Sequence, residues 1–383
     1  METSGLKPHL IISYNNLFVR IFLQGLLPIL PVLAIAVGAT KMQVGIVLSS
    51  MFSTMLLGTL AAGKIASHHV NFKTLIIGIS LLLALSIAFL GSTNSFPMLL
   101  MACIIIGLCD GLYIMSFFIY LGKISKDSSV SKNFSIITFT NQIATVAGGL
   151  LLGFFISHIG QRNSFFLFGV AMFISSLSVM LLPELNITNK TVSVKFHFQR
   201  KYVLLLLVSF LTIMCIHIFN LTFSMILLSN KVPAYKISYY SAIGTGLMAW
   251  FPILLGNKTT SKTANFSFLI CSVSIIIAFL VLRFSTNPYL YVASVAIMSI
   301  MTYPFFIPVM QKIFVWHTRE EMPMAQSYYS SVAWLAAIVG YLISGSVLQY
   351  LSPNVNIAVA IVFACIAIAI ISTFNREENQ TSK

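Results

Sequence analysis

The chain has 383 residues, of which 58% are hydrophobic and only 8% are charged, and its formal net charge is +14. A soluble domain carries about a quarter charged residues, so this composition excludes a soluble protein and indicates an integral membrane protein. The basic residues lie singly between apolar runs rather than in one patch. This distribution argues against a nucleic-acid partner and predicts contact with a lipid bilayer.

Apolar segments of about 20 residues recur along the whole chain, and each is long enough to cross a bilayer as a helix. The sequence therefore predicts an all-α membrane protein with about twelve transmembrane helices. The predicted spans are 14–38, 43–62, 74–93, 97–121, 133–157, 164–183, 202–228, 238–255, 264–284, 288–312, 326–350 and 355–374.

The longest polar connection, at 184–201, divides the chain near its midpoint. It predicts a cytoplasmic central loop between an N-terminal six-helix half at 1–183 and a C-terminal half at 202–383 that ends in a short cytoplasmic tail. About sixteen basic loop residues fall on the N-terminal side of the membrane and about five on the other. Both termini are therefore predicted to be cytoplasmic, in a multi-pass protein of the cytoplasmic (inner) membrane.

Comparison of the two halves at a fixed offset indicates an internal repeat. The segment "FPMLLMAC" (96–103) matches "NPYLYVAS" (287–294), and "VAGGLLLG" (146–153) matches "IVGYLISG" (338–345). The offsets are about 191 and 192, and nearly equal offsets from independent matches favour duplication of a six-helix unit over chance coincidence of glycines and prolines.

Short loop motifs in this arrangement resemble those of the major facilitator superfamily. The segment "GKIASHHVNFK" (63–73) resembles the family's first cytoplasmic loop, which gates the outward-open state. The positions that fit the family pattern are Gly63, Ile65, Ala66 and Lys73. The positions that depart from it are Ser67, His68 and Val70. The segment "GQRNSFF" (160–166) is similar to the family's link into the sixth span.

The resemblance implies a transporter rather than an enzyme, with two six-helix halves that give alternating access to a small-molecule substrate, and it implies a monomer. Residues 26–50, "LLPILPVLAIAVGATKMQVGIVLSS", are similar to the first helix and outer loop of the drug/metabolite:proton antiporter branch. That branch often carries an arginine in span four, where this chain has Cys103.

Two charges remain inside the predicted spans, Arg20 in span one and Asp110 in the run "IIIGLCDGLYIMS" (104–116) of span four. At 1.5 Å per residue they lie about 9 Å and about 16 Å from the cytoplasmic side, a difference that a long arginine side chain bridges. Charges at bilayer depth are rare and face a partner or a water-filled cavity. We therefore predict that Asp110 faces Arg20.

Three roles are open for this predicted pair. Burial favours the neutral acid and a nearby arginine favours the carboxylate, so their balance can bring protonation of Asp110 into the physiological range and couple it to conformation. The alternatives are a counter-ion for the substrate and a static pair that fixes helix packing.

Other polar and aromatic groups within the spans are candidates for substrate binding. His217 fits either a buried histidine that bonds a neighbouring helix or a substrate ligand or proton relay. Adjacent residues face different ways, so at most one of each pair Asn141/Gln142 and Tyr328/Tyr329 is expected at a site. The aromatic residues fit a cavity lining or ordinary packing. The candidates are Gln24, Tyr113, Asn141, Gln142, His217, Asn220, Trp250, Tyr303 and Trp334.

Proline positions predict where helices bend, because proline removes a backbone hydrogen bond. They are Pro28, Pro31, Pro304 and Pro308. The five cysteines lie in apolar runs without metal-ligand spacing and are interpreted as core residues. No metal site or cofactor is predicted, and no glycine loop for nucleotide phosphates is found.

These observations predict a secondary active transporter for a small organic solute, with proton-coupled efflux as the leading hypothesis. Proton-coupled uptake of a nutrient or siderophore is the first alternative, in which Arg20 binds an anionic group. A non-transporting sensor or a polytopic membrane enzyme is the second alternative.

Overall fold

The computed structural model describes residues 8–65, 70–124, 130–182, 186–187, 198–249, 264–317 and 321–381. Twelve α-helices are found in these ranges. They are α1 (Pro8–Leu26), α2 (Leu30–Ala36), α3 (Lys41–Ile65), α4 (Phe72–Leu90), α5 (Phe96–Ile124), α6 (Val130–Leu177), α7 (Arg200–Ser229), α8 (Ala234–Met248), α9 (Ala264–Arg283), α10 (Pro288–Trp316), α11 (Met322–Tyr350) and α12 (Pro353–Thr381). The predicted all-α membrane fold is confirmed.

The first predicted span is broken into α1 and α2, whose axes differ in direction by 47°. Pro28 lies in the turn between them and Pro31 lies in the first turn of α2. Proline cannot donate the hydrogen bond that would continue α1, but its fixed φ suits the start of a new helix. The bend predicted at these two residues is confirmed, whereas α10 runs as one helix across Pro304 and Pro308.

Helix α6 contains the predicted fifth and sixth spans, which are joined at Gly160. The backbone of Gly160 has φ 78° and ψ 165°, a left-handed conformation that side chains other than glycine rarely adopt. The candidate span Thr140–Leu181 is accordingly 42 residues long, enough for two crossings of a bilayer. A short 3₁₀ helix, Ser178–Leu181, follows it.

In the part of the chain that is described, eight helices are long and apolar enough to cross a membrane, and the bent α1–α2 pair makes a ninth. These nine account for ten of the twelve predicted spans, because the α6 candidate covers both the fifth and the sixth. Of the other two, the predicted eighth span, 238–255, is described only as far as residue 249, and the predicted tenth span contains a shorter apolar stretch, Pro288–Ile300.

Compact unit 1 comprises Met1–Ala39, Ser50–Thr191 and Pro233–Ala242. Within it, α1 and α4 pack on α6, and α4 also packs on α5. Residues Val70–Asn71 and Asn186–Ile187 form a two-stranded antiparallel pair, β1 and β2, that joins the first loop to the central loop.

Compact unit 2 comprises Thr40–Ser49, Val192–Val232 and Ile243–Lys383. Within it, α11 and α12 pack on α7, and α9 packs on α10 and α12. The predicted boundary at 184–201 stays a prediction, because most of that segment lies outside the described residues.

The predicted sequence repeat has a counterpart in the packing of each unit. A methyl group added at Gly148 on α6 would lie 3.1 Å from the backbone nitrogen of Gly25 on α1. At Gly340 on α11, 192 positions later, it would lie 2.8 Å from the backbone oxygen of Met214 on α7. Equivalent glycines thus permit equivalent close helix contacts, which supports the duplication.

The core is apolar, and so is much of the surface. Leu85, Phe166 and Phe266 are each more than 60% exposed, as expected of helices that contact lipid. Four cysteines are buried as predicted, but Cys365 on α12 is exposed, so the interpretation of all five as core residues is wrong for Cys365.

Candidate functional site

Unit 1 contains a cluster of buried polar side chains on α1, in an otherwise apolar helix. Asn15, Asn16 and Arg20 are 0%, 1% and 3% exposed, respectively. Asn16 and Arg20 are four residues apart and therefore lie on one face of the helix. Because burying a polar group without a partner costs free energy, each of these side chains needs a partner on a neighbouring helix.

Arg20 finds its partner in Asp110 on α5. The Nη2 atom of Arg20 lies 3.1 Å from Oδ1 of Asp110, and Nη1 donates a hydrogen bond to Oδ2 over 3.4 Å. Both side chains are almost completely buried, at 3% and 5% exposure. One hydrogen bond and a second close charge contact thus join the two side chains, which neutralise each other. The predicted pairing of these two charges is confirmed.

Glycines on either side of Asp110 set the position of α5. A methyl group on Gly111 would lie 2.9 Å from the backbone nitrogen of Thr59 on α3 and would overlap the carbonyl of Met55. Gly107 makes a similar approach to the carbonyl of Met51 on α3. The backbones of α3 and α5 are therefore in close contact, which fixes the rotation of α5 that directs Asp110 towards α1.

A neutral hydrogen bond accompanies the ion pair. The hydroxyl of Tyr113, three residues after Asp110, donates to Oδ1 of Asn15 over 2.7 Å. Nδ2 of Asn15 donates to the carbonyl oxygen of Ser175 on α6 over 3.4 Å. Tyr113 is fully buried, so in this structure its hydroxyl contacts Asn15 rather than an exposed surface.

A third contact joins α1 to α6. Nδ2 of Asn16 donates to Oδ1 of Asn141 over 3.0 Å. Asn141 is half-buried and faces α1, whereas its neighbour Gln142 is 2% exposed. Gln24, one turn beyond Arg20, is half-buried.

The predicted site residues of the C-terminal half lie in unit 2, on α7 and α11. The ring of His217 meets the ring of Tyr341 edge to face, with centroids 4.9 Å apart. Asn220 is exposed and its side chain hydrogen-bonds the Tyr341 hydroxyl. Trp334 is half-buried on α11. Both interpretations of His217 stay open.

Several other predicted positions are only partly described. Ser67, His68 and Trp250 lie outside the described residues. Gly63 and Tyr303 are described only as positions within α3 and α10. Lys73 lies in the first turn of α4, where its backbone N–H donates to Oδ1 of Asn71 over 3.1 Å. Tyr329 is buried and its neighbour Tyr328 is exposed, in line with their expected opposite orientations.

Sequence reasoning missed Asn15, Asn16 and a third buried charge, Lys312. Lys312 is the last residue of the predicted span 288–312 and was counted with the basic residues of the cytoplasmic side. It lies within α10, is 2% exposed and has its ammonium 5.4 Å from the ring centroid of Trp316. The i, i+4 spacing of a lysine and a tryptophan was an available signal for a continued helix. Among the described residues, no group of three or more His, Cys, Asp or Glu side chains is placed to hold a metal ion.

Comparison with known proteins assigns the family. Residues 12–277, more than half of the chain, match the family described as the Major Facilitator Superfamily. The chain belongs to this superfamily. It is therefore a multi-pass membrane transporter rather than an enzyme, with a small-molecule substrate. None of the curated proteins matches its sequence.

Solved structures share the fold of this superfamily member. A mutant of the nucleoside transporter NupG has 12% sequence identity and a TM-score of 0.79, over 96% of this chain and 100% of that chain. A peptide transporter POT in complex with alafosfalin has 13% identity and a TM-score of 0.76, over 98% and 96%. A bacterial homolog of the human lysosomal transporter Spinster has 14% identity and a TM-score of 0.74, over 97% and 98%. Identities this low show a common fold alone.

Proposed function

We propose that this chain is a proton-coupled secondary transporter that exports a small organic solute across the cytoplasmic membrane. Asp110 is the proton carrier and Arg20 is its partner. The buried ion pair between them is the observation that carries this proposal, because a titratable carboxylate inside a transporter helix needs either a structural or a coupling role.

Protonation of Asp110 would change the contact between α1 and α5. The carboxylate is held by two contacts from Arg20, and a proton on either oxygen removes the charge attraction that supports both. An uncompensated buried arginine is costly, so the protonated state favours a different arrangement of these helices. Such a change in the preferred conformation is what alternating access requires.

The surroundings of Asp110 leave Arg20 as the dominant charged influence. Cys109 and Tyr113 on α5 are the other titratable groups close to the carboxylate. The described side chains of α3 that pack on the neighbouring glycines, such as Thr54, carry no charge. The pair is thus isolated from other described charges, as suits a single proton site.

Export is favoured by the likeness of residues 26–50 to the drug/metabolite:proton antiporter branch. In this proposal the first loop forms the gate. The proposed substrate-binding residues are Gln24, Tyr113, Asn141, Gln142, His217, Asn220, Tyr303 and Trp334. The proposed gating residues are Gly63, Ser67, His68 and Lys73. The protein is proposed to act as a monomer in the inner membrane, with both termini in the cytoplasm.

Uptake of a nutrient or siderophore is the second candidate, and Arg20 favours it. Once Asp110 is protonated, Arg20 is available for an anionic group of the solute, which would couple proton and solute movement in one direction. A sensor derived from the same fold is the third candidate, and it predicts no solute flux.

The test is proton flux in inside-out vesicles with an imposed pH gradient. Cations, amino acids, sugars and siderophores are added in turn to the normal protein, to Asp110→Asn and to the matched control Ser116→Ala. Ser116 lies on the same helix as Asp110, and its buried hydroxyl has no hydrogen-bond partner in the described structure.

We expect one class of solute to discharge the gradient with the normal protein and with Ser116→Ala, and at least tenfold more slowly with Asp110→Asn. Equal discharge by Asp110→Asn would contradict proton coupling through this residue. Discharge of the pH gradient only when the solute and the protons cross the membrane in the same direction would support uptake. No response with any solute class would favour the sensor.

A further inference from the structure

Asn15 connects three helical segments of unit 1 through one fully buried side chain. Its Oδ1 accepts the Tyr113 hydroxyl from α5 and its Nδ2 donates to the Ser175 carbonyl of α6. Amide and phenol groups stay uncharged between pH 5 and pH 9, so a proton on Asp110 does not itself remove a donor or an acceptor from these bonds. Asn15 therefore anchors α1 independently of the ion pair.

The hydrogen bond between Asn15 and Tyr113 and the ion pair between Arg20 and Asp110 are neighbouring contacts between the antiparallel helices α1 and α5. Asn15 precedes Arg20 by five residues on α1, and Tyr113 follows Asp110 by three residues on α5. At 1.5 Å per residue these separations are about 7.5 Å and about 4.5 Å, so the two contacts lie about one helical turn apart. The position of one contact therefore constrains the position of the other.

From this geometry we infer that Asn15 and Tyr113 are positioning residues that hold Arg20 in register with the ionised Asp110. The inference rests on the proposed proton coupling and adds two residues to it. Without the hydrogen bond between Asn15 and Tyr113, α1 is freer to move and Arg20 binds the Asp110 carboxylate less well. A proton then competes more effectively with Arg20 for Asp110, so protonation occurs at higher pH.

Other groups around the pair do not supply the same restraint. From α5, Cys109 adjoins the carboxylate, and from α3 the groups that approach Gly107 are the Met51 carbonyl and the Thr54 hydroxyl, which are uncharged. From α6, the contacts to α1 are the Ser175 carbonyl and the Asn141 amide. From the helix that carries Asp110, the Tyr113 hydroxyl supplies an uncharged hydrogen bond to α1.

The experiment measures the melting temperature of the purified full-length protein in detergent between pH 5 and pH 9. A group that binds a proton differently in the folded and unfolded states produces a transition in such a profile. The variants are Tyr113→Phe, Asn15→Leu and Asp110→Asn, with Ser116→Ala as the control for loss of a buried hydroxyl from α5.

We expect a transition in the normal protein and in Ser116→Ala that is absent from Asp110→Asn. In Tyr113→Phe it moves to higher pH by about half a unit to one unit, the shift that corresponds to loss of one net hydrogen bond. Asn15→Leu moves it in the same direction. Should Asn15→Leu fail to fold, Tyr113→Phe still decides, because it removes a single oxygen atom.

The outcomes separate this inference from the proposed function. An unchanged transition in Tyr113→Phe, together with its loss in Asp110→Asn, overturns the positioning role and leaves proton coupling intact. An equal shift in Ser116→Ala also overturns it, since any buried hydroxyl would then matter. A transition that survives in Asp110→Asn, or its absence from the normal protein, overturns both.

Discussion

At the scale of residues, Arg20 and Asp110 each compensate the buried charge of the other in place of water. Neither is accessible to water in this structure, and each charge is compensated mainly by the other. Removing one partner of a buried pair leaves an uncompensated charge, whereas replacing both partners with apolar groups is often neutral or stabilising. Comparison of variants that lack one charge with a variant that lacks both therefore distinguishes the effect of the pair on stability from its effect on transport.

We expect Arg20→Met to lower the free energy of unfolding by about 3–5 kcal/mol. The double variant Arg20→Met with Asp110→Leu should recover most of that loss while remaining inactive in proton-coupled transport. The measurement is denaturant unfolding of the purified protein in detergent, with transport assayed in parallel. A double variant as unstable as the single one would show that the two charges are stabilised independently.

At the scale of elements, the contact between α1 and α6 depends on the absence of a side chain at Gly148. A methyl group there would meet the backbone of Gly25 and the carbonyl of Ile21. Backbone atoms cannot move aside as a flexible side chain can, so the helices must separate. Separation would also lengthen the hydrogen bond between Asn16 and Asn141.

We expect Gly148→Ala to cost about 1–3 kcal/mol of stability, as overpacking of a close contact does. Gly78→Ala on α4 is the matched control, because nothing lies within 4 Å of a methyl group added there. It should be neutral or slightly stabilising, since alanine favours a helix. The measurement is the melting temperature of each variant, and equal values for the two would contradict the proposed close contact.

At the scale of the whole molecule, the sequence was most informative where a feature is rare. Two charges inside apolar spans could be paired before the structure was known because each has few possible partners. Asn15 could not be placed in this way, since its partners Tyr113 and Ser175 are 98 and 160 residues away and an amide does not select a single partner type. The burial of Lys312 was not predicted, because it is the last residue of the predicted span 288–312 and α10 continues to Trp316.

The repeat was also visible in the sequence, because glycines at close contacts are conspicuous when they recur at a fixed offset. The residues that distinguish the two halves were harder to interpret. The positions 192 residues after Arg20 and Asp110 are Thr212 and Thr302, so the charged pair exists in one half only. The repeats therefore share the close helix contact at Gly148 and Gly340 but not the charged pair.

The closed ion pair of unit 1 has an electrical consequence. With Asp110 ionised, the charges of Arg20 and Asp110 cancel, and a bound proton leaves the site with one net positive charge. A unit charge crossing 100 mV gains or loses about 2.3 kcal/mol. The charge of the site therefore changes during the cycle of the normal protein, and its flux of a neutral solute should change with an imposed potassium diffusion potential. In Asp110→Asn the site keeps one positive charge throughout because Arg20 is always uncompensated, so its cycle moves no net charge and its flux should not change. Equal responses would place the voltage-sensitive charge elsewhere.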